Sequence, residues 1–222
     1  MRILCWAALA VLLFFAMPAP QARGGESALA QNRRQTFVVE VCASESHASA
    51  IGSAVVVGRD GDVLTLATAA HVVSQKGTLR ILDASRHAYY AVVHVHLLSD
   101  YDLALIRVRA QNSFPAAPAS FAQPVAGEAV WIWGHTGSGF WELARGHVRE
   151  TDAKIPGVFG SPRITIDCAA CSYGDSGSGV FDAQGNLLGI LTRAWSKANG
   201  GRVLFIEVEP AALISQEILA ER

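Results

Sequence analysis

From about residue 36 onward, apolar and polar positions alternate in short stretches rich in Val, Ile, Leu and aromatic residues, punctuated by Gly, Asp, Ser and Pro. A two-residue period bounded by turn formers predicts strands rather than helices. Six strands are expected before residue 110, over 37–43, 51–57, 63–68, 78–83, 88–97 and 103–108. Arg59-Asp60-Gly61-Asp62, between the second and third, reads as a hairpin turn in which the glycine supplies positive φ. Residues 111–124 (QNSFPAAPASFAQP) lose the period and carry three prolines, which cannot donate to a sheet ladder, so they read as a linker. Six further strands are expected over 129–134, 142–149, 163–168, 178–182, 187–193 and 203–208, with turns at Asp182 to Asn186 and at Asn199-Gly200-Gly201. After Pro210, Ala211 to Leu219 carries apolar residues at helical spacing. The expected fold is all-β: two six-stranded antiparallel barrels packed side by side, over 37–110 and 125–222, the second ending in a short C-terminal helix.

The N-terminus departs from this pattern. Arg2 precedes fifteen consecutive apolar residues, Ile3 to Met17. That run is short for a membrane span, which needs about 20 residues, and suits the apolar region of an export signal. Cleavage after Ala22 keeps the usual distance from the run, whereas cleavage after Ala30 has the better Ala28-Leu29-Ala30 pattern, and both stand. An uncleaved anchor is the alternative. The expectation is a periplasmic or secreted protein whose membrane contact is confined to the signal segment.

Composition narrows the function classes. The chain of 222 residues is 51% hydrophobic and 17% charged, enough to bury a sizeable core. Its formal net charge of −1 argues against nucleic acid, since phosphate binding needs a clear basic surplus. Cys5 lies inside the apolar run, which leaves Cys42, Cys168 and Cys171 and at most one intramolecular disulfide. Cys168–Cys171 is the first choice, because the other pairings must bridge the two barrels.

Three segments carry candidate chemistry. Thr68-Ala69-Ala70-His71-Val72-Val73 runs an apolar strand end into a tight turn bearing a histidine. In Asp100-Tyr101-Asp102-Leu103-Ala104-Leu105-Ile106 a carboxylate opens a strongly apolar strand, and Gly174-Asp175-Ser176-Gly177-Ser178-Gly179 sets a serine in a glycine-rich turn. Singly, each has a plain structural reading: a satisfied histidine, a turn aspartate, a loop. Together and in this order they fit nucleophilic catalysis. Serine needs a base within hydrogen-bond reach of its hydroxyl, and imidazole, with an ordinary pKa of about 6.5, can supply one. A carboxylate then holds the ring in the right tautomer.

The segments TAAHVV, YDLALIRV and GDSGSGV resemble the three catalytic motifs of trypsin-like (chymotrypsin-fold) serine proteases, in the same chain order. His71 and Asp102 are 31 residues apart, and Asp102 and Ser176 are 74 apart, which resembles the compact bacterial branch that includes the Deg/HtrA protease domains. The resemblance covers roughly 37–209 and leaves no room after the second barrel for a PDZ module. It implies a catalytic triad of His71, Asp102 and Ser176, with Asp100 the competing carboxylate. It also implies an oxyanion hole from the N–H groups of Gly174 and Ser176, a protein or peptide substrate, and no cofactor. Ser178 stands where most members carry a second glycine, a departure shared with bacterial glutamyl endopeptidases. No cleavage site followed by Ile or Val precedes the first barrel, so activation by a freed N-terminus is not expected and Asp175 needs another partner.

The same resemblance assigns the primary pocket. The residue six positions before the nucleophile is Ala170, and Thr192, Arg193 and Ala194 would line the substrate backbone. An uncharged Ala170, with Leu191 where glutamate-selective relatives carry histidine, implies cleavage after Ala, Val or Leu; a shift of three residues would bring Asp167 to the pocket instead. Two other patterns carry less. Cys168-Ala-Ala-Cys171 lacks the βαβ context of a redox motif and the second ligand pair of a zinc site. His94 and His96 share one strand face without an evident third ligand, so no metal is expected. His135 has two readings, a border of the substrate cleft or part of a flexible loop.

Overall fold

The computed structural model describes residues 25–44, 47–83, 89–98, 100–110, 117–135, 141–155, 163–171, 174–196 and 203–220. The apolar run Ile3–Met17 with Cys5, residues 111–116 of the expected linker and the turn at Asn199–Gly201 lie outside them.

Two closed barrels form. The first comprises β1 (Thr36–Ser44), β2 (His47–Asp60), β3 (Val63–Thr68), β4 (Thr78–Leu82), β5 (Tyr89–Leu98) and β6 (Leu103–Arg109), in the order β1-β2-β3-β6-β5-β4. The second comprises β7 (Ala129–His135), β8 (Trp141–Ala153), β9 (Arg163–Asp167), β10 (Gly179–Phe181), β11 (Leu187–Ser196) and β12 (Val203–Pro210), in the order β7-β8-β9-β12-β11-β10. All of these pairings are antiparallel, and the two barrels share one connectivity, strand for strand. The expected all-β, two-barrel fold is borne out. The Gly61 turn has φ 59°, a conformation that L side chains rarely adopt.

Strand alternation explains how the barrels fill and how they adhere. Ala54 and Val56 of β2, Leu64 and Leu66 of β3, and Ile106 and Val108 of β6 point into the first barrel, with Phe37 edge-on to Tyr90 at 5.2 Å. The intervening residues Val55, Val57, Ala67, Leu103 and Leu105 face outward, against Phe181, Leu187 and Ile190 of the second barrel. Burial on both faces accounts for the nearly unbroken apolar run Leu103-Ala104-Leu105-Ile106. The described part of the linker threads this seam: Ala119 N–H donates to the Val56 carbonyl, and Leu187 N–H to that of Ser120.

The expected C-terminal helix is α3 (Ala211–Ala220), which buries Ala211 and Ile214 against the same seam. α2 (Ala70–Val73) is a single turn. α1 (Gly25–Gln35) has no counterpart among the expected elements, because GESALAQNRRQ lacks an apolar stripe. Polar contacts hold it: Gln35 is fully buried and donates to the Ala117 carbonyl at 2.8 Å, and Thr36 caps back onto the Asn32 carbonyl. Arg33 and Arg34 in its last turn complement the helix dipole. The later of the two candidate cleavage points, after Ala30, falls inside this helix.

Candidate active site

The site lies where the two barrels meet. β3 ends at Thr68, and α2 then carries His71, its backbone held by Ala70 N–H donating to the Asp102 carbonyl at 3.2 Å. Val72 is buried beneath that turn, which leaves the His71 side chain 46% exposed. Asp102 follows the turn closed by Tyr101 N–H to the Leu98 carbonyl, just before β6.

His71 and Asp102 meet at two points. Imidazole Nδ1 lies 2.8 Å from Oδ2, and the His71 backbone N–H donates to Oδ1 at 2.9 Å. Burial pushes the Asp102 carboxyl up, but the two hydrogen bonds from His71, its charge and that of Arg193 together hold it below the ordinary value. Asp100, the competing carboxylate, is exposed on the same turn.

Ser176 lies between two glycines of positive φ, Gly174 at 101° and Gly177 at 86°. A methyl group at Gly177 would overlap the Ser53 carbonyl oxygen. The turn is fastened by Ser178 N–H to the Asp175 carbonyl (2.9 Å) and Gly177 N–H to that of Leu191 (2.7 Å). Asp175 is itself buried. Across the seam, Ser53 N–H of β2 donates to the Ser176 carbonyl at 2.8 Å. A Cβ on Gly52 would come within 2.8 Å of Val72 and 2.9 Å of the Ser176 carbonyl oxygen, so the His71 turn and the Ser176 turn flank one glycine.

Ser53 is fully buried, and all three of its polar groups are used. Besides the Ser176 contact, its Oγ accepts the His135 backbone N–H at 2.8 Å, and its carbonyl accepts the Thr68 hydroxyl at 2.6 Å. His135 ends β7 as a buried residue.

The residues assigned to the primary pocket are spread over two elements. Cys168 and Cys171 are joined by a disulfide, and Ala170 stands exposed on the turn between them. Thr192 is buried on β11, Arg193 is exposed with its guanidinium 5.8 Å from the Trp195 ring centroid, and Ala194 is half-buried. Leu191 belongs to the second barrel's core, and Asp167 turns to Arg149 of β8 at 3.7 Å. Cys42 is a buried free thiol. His96 pairs with Glu217 of α3 at 3.0 Å, and among the described residues no group of His, Cys, Asp and Glu could hold a metal ion. No helix among them is long and apolar enough to cross a membrane.

A buried charge cluster behind Asp102 was not anticipated. Glu207 and Glu209 of β12 both pair with Arg163 of β9, and all three residues are buried. A basic residue opening one apolar strand and Glu-Val-Glu in another are its trace in the sequence.

Comparison with known proteins identifies the fold and the family. Residues 52–190 match the family model described as a trypsin-like peptidase domain. No curated protein matches the chain. The active form of the Rv3671c protease from M. tuberculosis superposes with a TM-score of 0.69 at 20% identity, over 98% of this chain and 93% of that one. The HtrA-type protease AlgW with a tripeptide superposes at 0.72 and 20% identity, over 88% of this chain and 62% of AlgW. The present chain thus spans less than two thirds of AlgW's length. At that identity the likeness carries the fold, while the family match carries the kinship: the chain belongs to the trypsin-like peptidase domain family.

Proposed function

We propose that this protein is an exported serine endopeptidase whose triad is Ser176, His71 and Asp102. The observation that carries the reading is the two-point contact between His71 and Asp102. With Nδ1–H donated to Oδ2, the imidazole must present Nε2 as an acceptor, the tautomer a general base needs. Ser176 Oγ then attacks the substrate carbonyl while its proton passes to Nε2. The tetrahedral oxyanion is met by the N–H groups of Gly174 and Ser176, where loss of one donor typically costs about 2.7–4 kcal/mol of transition-state stabilisation. Collapse sends the proton from Nε2 to the leaving amine and leaves an acyl group on Ser176 Oγ. Water, deprotonated by the same nitrogen, releases the acid. No step calls for a metal or an organic cofactor.

Protein or peptide substrates follow from the family. The finer assignment gives a neutral primary pocket at Ala170, Thr192, Arg193 and Ala194, and cleavage after small or medium uncharged residues. Export rests on Arg2 and the Ile3–Met17 run. The rival readings are a non-cleaving binding protein on the same fold and an esterase using the same triad. A fluorophosphonate probe should label the wild-type protein at Ser176 and leave a folded Ser176→Ala variant unlabelled. Hydrolysis of casein against a simple ester separates protease from esterase. A folded wild-type protein that neither labels nor cleaves is a binder, and normal turnover by Ser176→Ala would overturn the assignment.

A further inference from the structure

Asp102 is gripped from both sides. Its carboxylate faces His71, and its own backbone N–H donates to Glu209 Oε1 of the second barrel at 3.2 Å, across 107 residues of chain. Glu209 is fully buried, and its other oxygen pairs with Arg163 Nη1. The Arg163 Nε in turn donates to Glu207 Oε1 at 3.0 Å. Glu207 Oε2 accepts the Trp195 indole N–H at 3.2 Å and lies 4.0 Å from Arg193. The cluster therefore runs from β11, along the face of β9 and β12 opposite the core residues Ile164, Ile166, Ile206 and Val208, to the peptide of Asp102 in the first barrel. Buried ion clusters are poor sources of stability, because desolvation offsets their attraction. Retaining a buried arginine and two buried glutamates against the back of a candidate catalytic carboxylate calls for another role.

We infer that Glu209, held by Arg163, is a positioning residue for Asp102: it fixes the peptide from which the carboxylate reaches His71. This inference rests on the serine-protease reading above. An anchor at the Asp102 peptide sets both contacts to His71 at once, because both carboxylate oxygens are engaged. Geometric tolerance at such a site is small, a misplacement of about 1 Å being able to cost ~100-fold in rate.

The test compares two double variants in the full-length protein. Arg163→Met/Glu209→Gln and Arg163→Met/Glu209→Leu both lack the buried cation and the Glu209 carboxyl, both leave Glu207 with Trp195 and Arg193, and they differ in whether position 209 can accept the Asp102 N–H. Active sites are titrated with a fluorophosphonate so that kcat is expressed per competent site. The Gln variant should keep kcat within about 3-fold of wild type, and the Leu variant should lose about 10- to 100-fold, with KM within about 2-fold in both. Equal kcat in the two would overturn the positioning role and leave the cluster a structural one. If the double variants fail to fold, single Glu209→Leu, in which Arg163 keeps Glu207, must show the same kcat loss at unchanged KM, and wild-type kcat there overturns the inference. Failure of the wild-type protein to label would instead sink the protease reading itself.

Discussion

Replacing Asp102 by asparagine swaps one oxygen for an amide nitrogen and leaves the shape nearly unchanged. The two contacts to His71 decide the consequence. The His71 backbone N–H, 2.9 Å from Oδ1, can only donate, so the amide oxygen must face it. The amide NH2 is then turned to Nδ1, 2.8 Å away, and a donor there forces Nδ1 to become the acceptor. The ring proton moves to Nε2, and the nitrogen proposed to take the Ser176 proton loses its lone pair. In the general serine-protease template this error of tautomer lowers kcat by ~10⁴, about 5 kcal/mol of barrier. The same loss is expected here, in a protein that remains folded. Steady-state hydrolysis of a casein-derived peptide measures it, with near-UV circular dichroism as the folding control. Asp100→Asn, on an exposed turn residue, should retain most activity. An Asp102→Asn variant with more than a tenth of wild-type kcat, or an equal loss in Asp100→Asn, would refute the assignment.

Four further outcomes are expected. Gly177→Ala forces an L side chain to φ 86° and into the Ser53 carbonyl, so it should lower stability by at least ~1–2 kcal/mol and abolish turnover; an unchanged Tm would contradict the turn geometry. Glu209, raised to about 7 chiefly by burial, keeps in the folded state a proton that the unfolded chain releases near 4.5. Stability should therefore fall as pH rises from about 4.5 to about 7, by up to ~3 kcal/mol relative to Glu209→Leu, and thermal melts showing no such difference between the two would refute it. Mass-spectrometric mapping of cuts in a peptide library should place Ala, Val or Leu before the cleaved bond, and a dominant Lys or Arg preference would refute the neutral pocket. Intact mass of the exported product should give an N-terminus near Arg23 or Gln31, whereas retention of Met1 in a membrane fraction would favour an anchor.

The barrels were legible because burial on one or both faces writes itself into alternation. β3, expected over 63–68, forms over Val63–Thr68, and β6 reads as a continuous apolar run because Leu103 and Leu105 feed the seam while Ile106 and Val108 feed the barrel. The His71–Asp102 pair was legible because each residue sits at a strand terminus, where apolar pattern gives way to a single polar group. α1 was not, since Gln35 and Asn32 are buried through polar contacts that leave no periodic trace. The Arg163 cluster was equally opaque: buried charges on a barrel's outer face look like solvated ones until the pieces are packed together. Ser53 escaped notice for a simpler reason, its importance lying partly in its backbone, which every residue has.

The contact from Ser53 N–H to the Ser176 carbonyl bears on how the protein tolerates motion. The candidate nucleophile is encoded in the second barrel, yet its peptide is hydrogen-bonded into a strand of the first, the barrel that also carries His71 and Asp102. That peptide is pinned to both halves, its carbonyl to β2 and its N–H, that of Gly177, to Leu191 of β11. Breathing of the seam must therefore stretch one of these two hydrogen bonds before it can separate the candidate nucleophile from the candidate base. A mutation that loosens inter-barrel packing should cost stability well before it costs the rate of the folded protein.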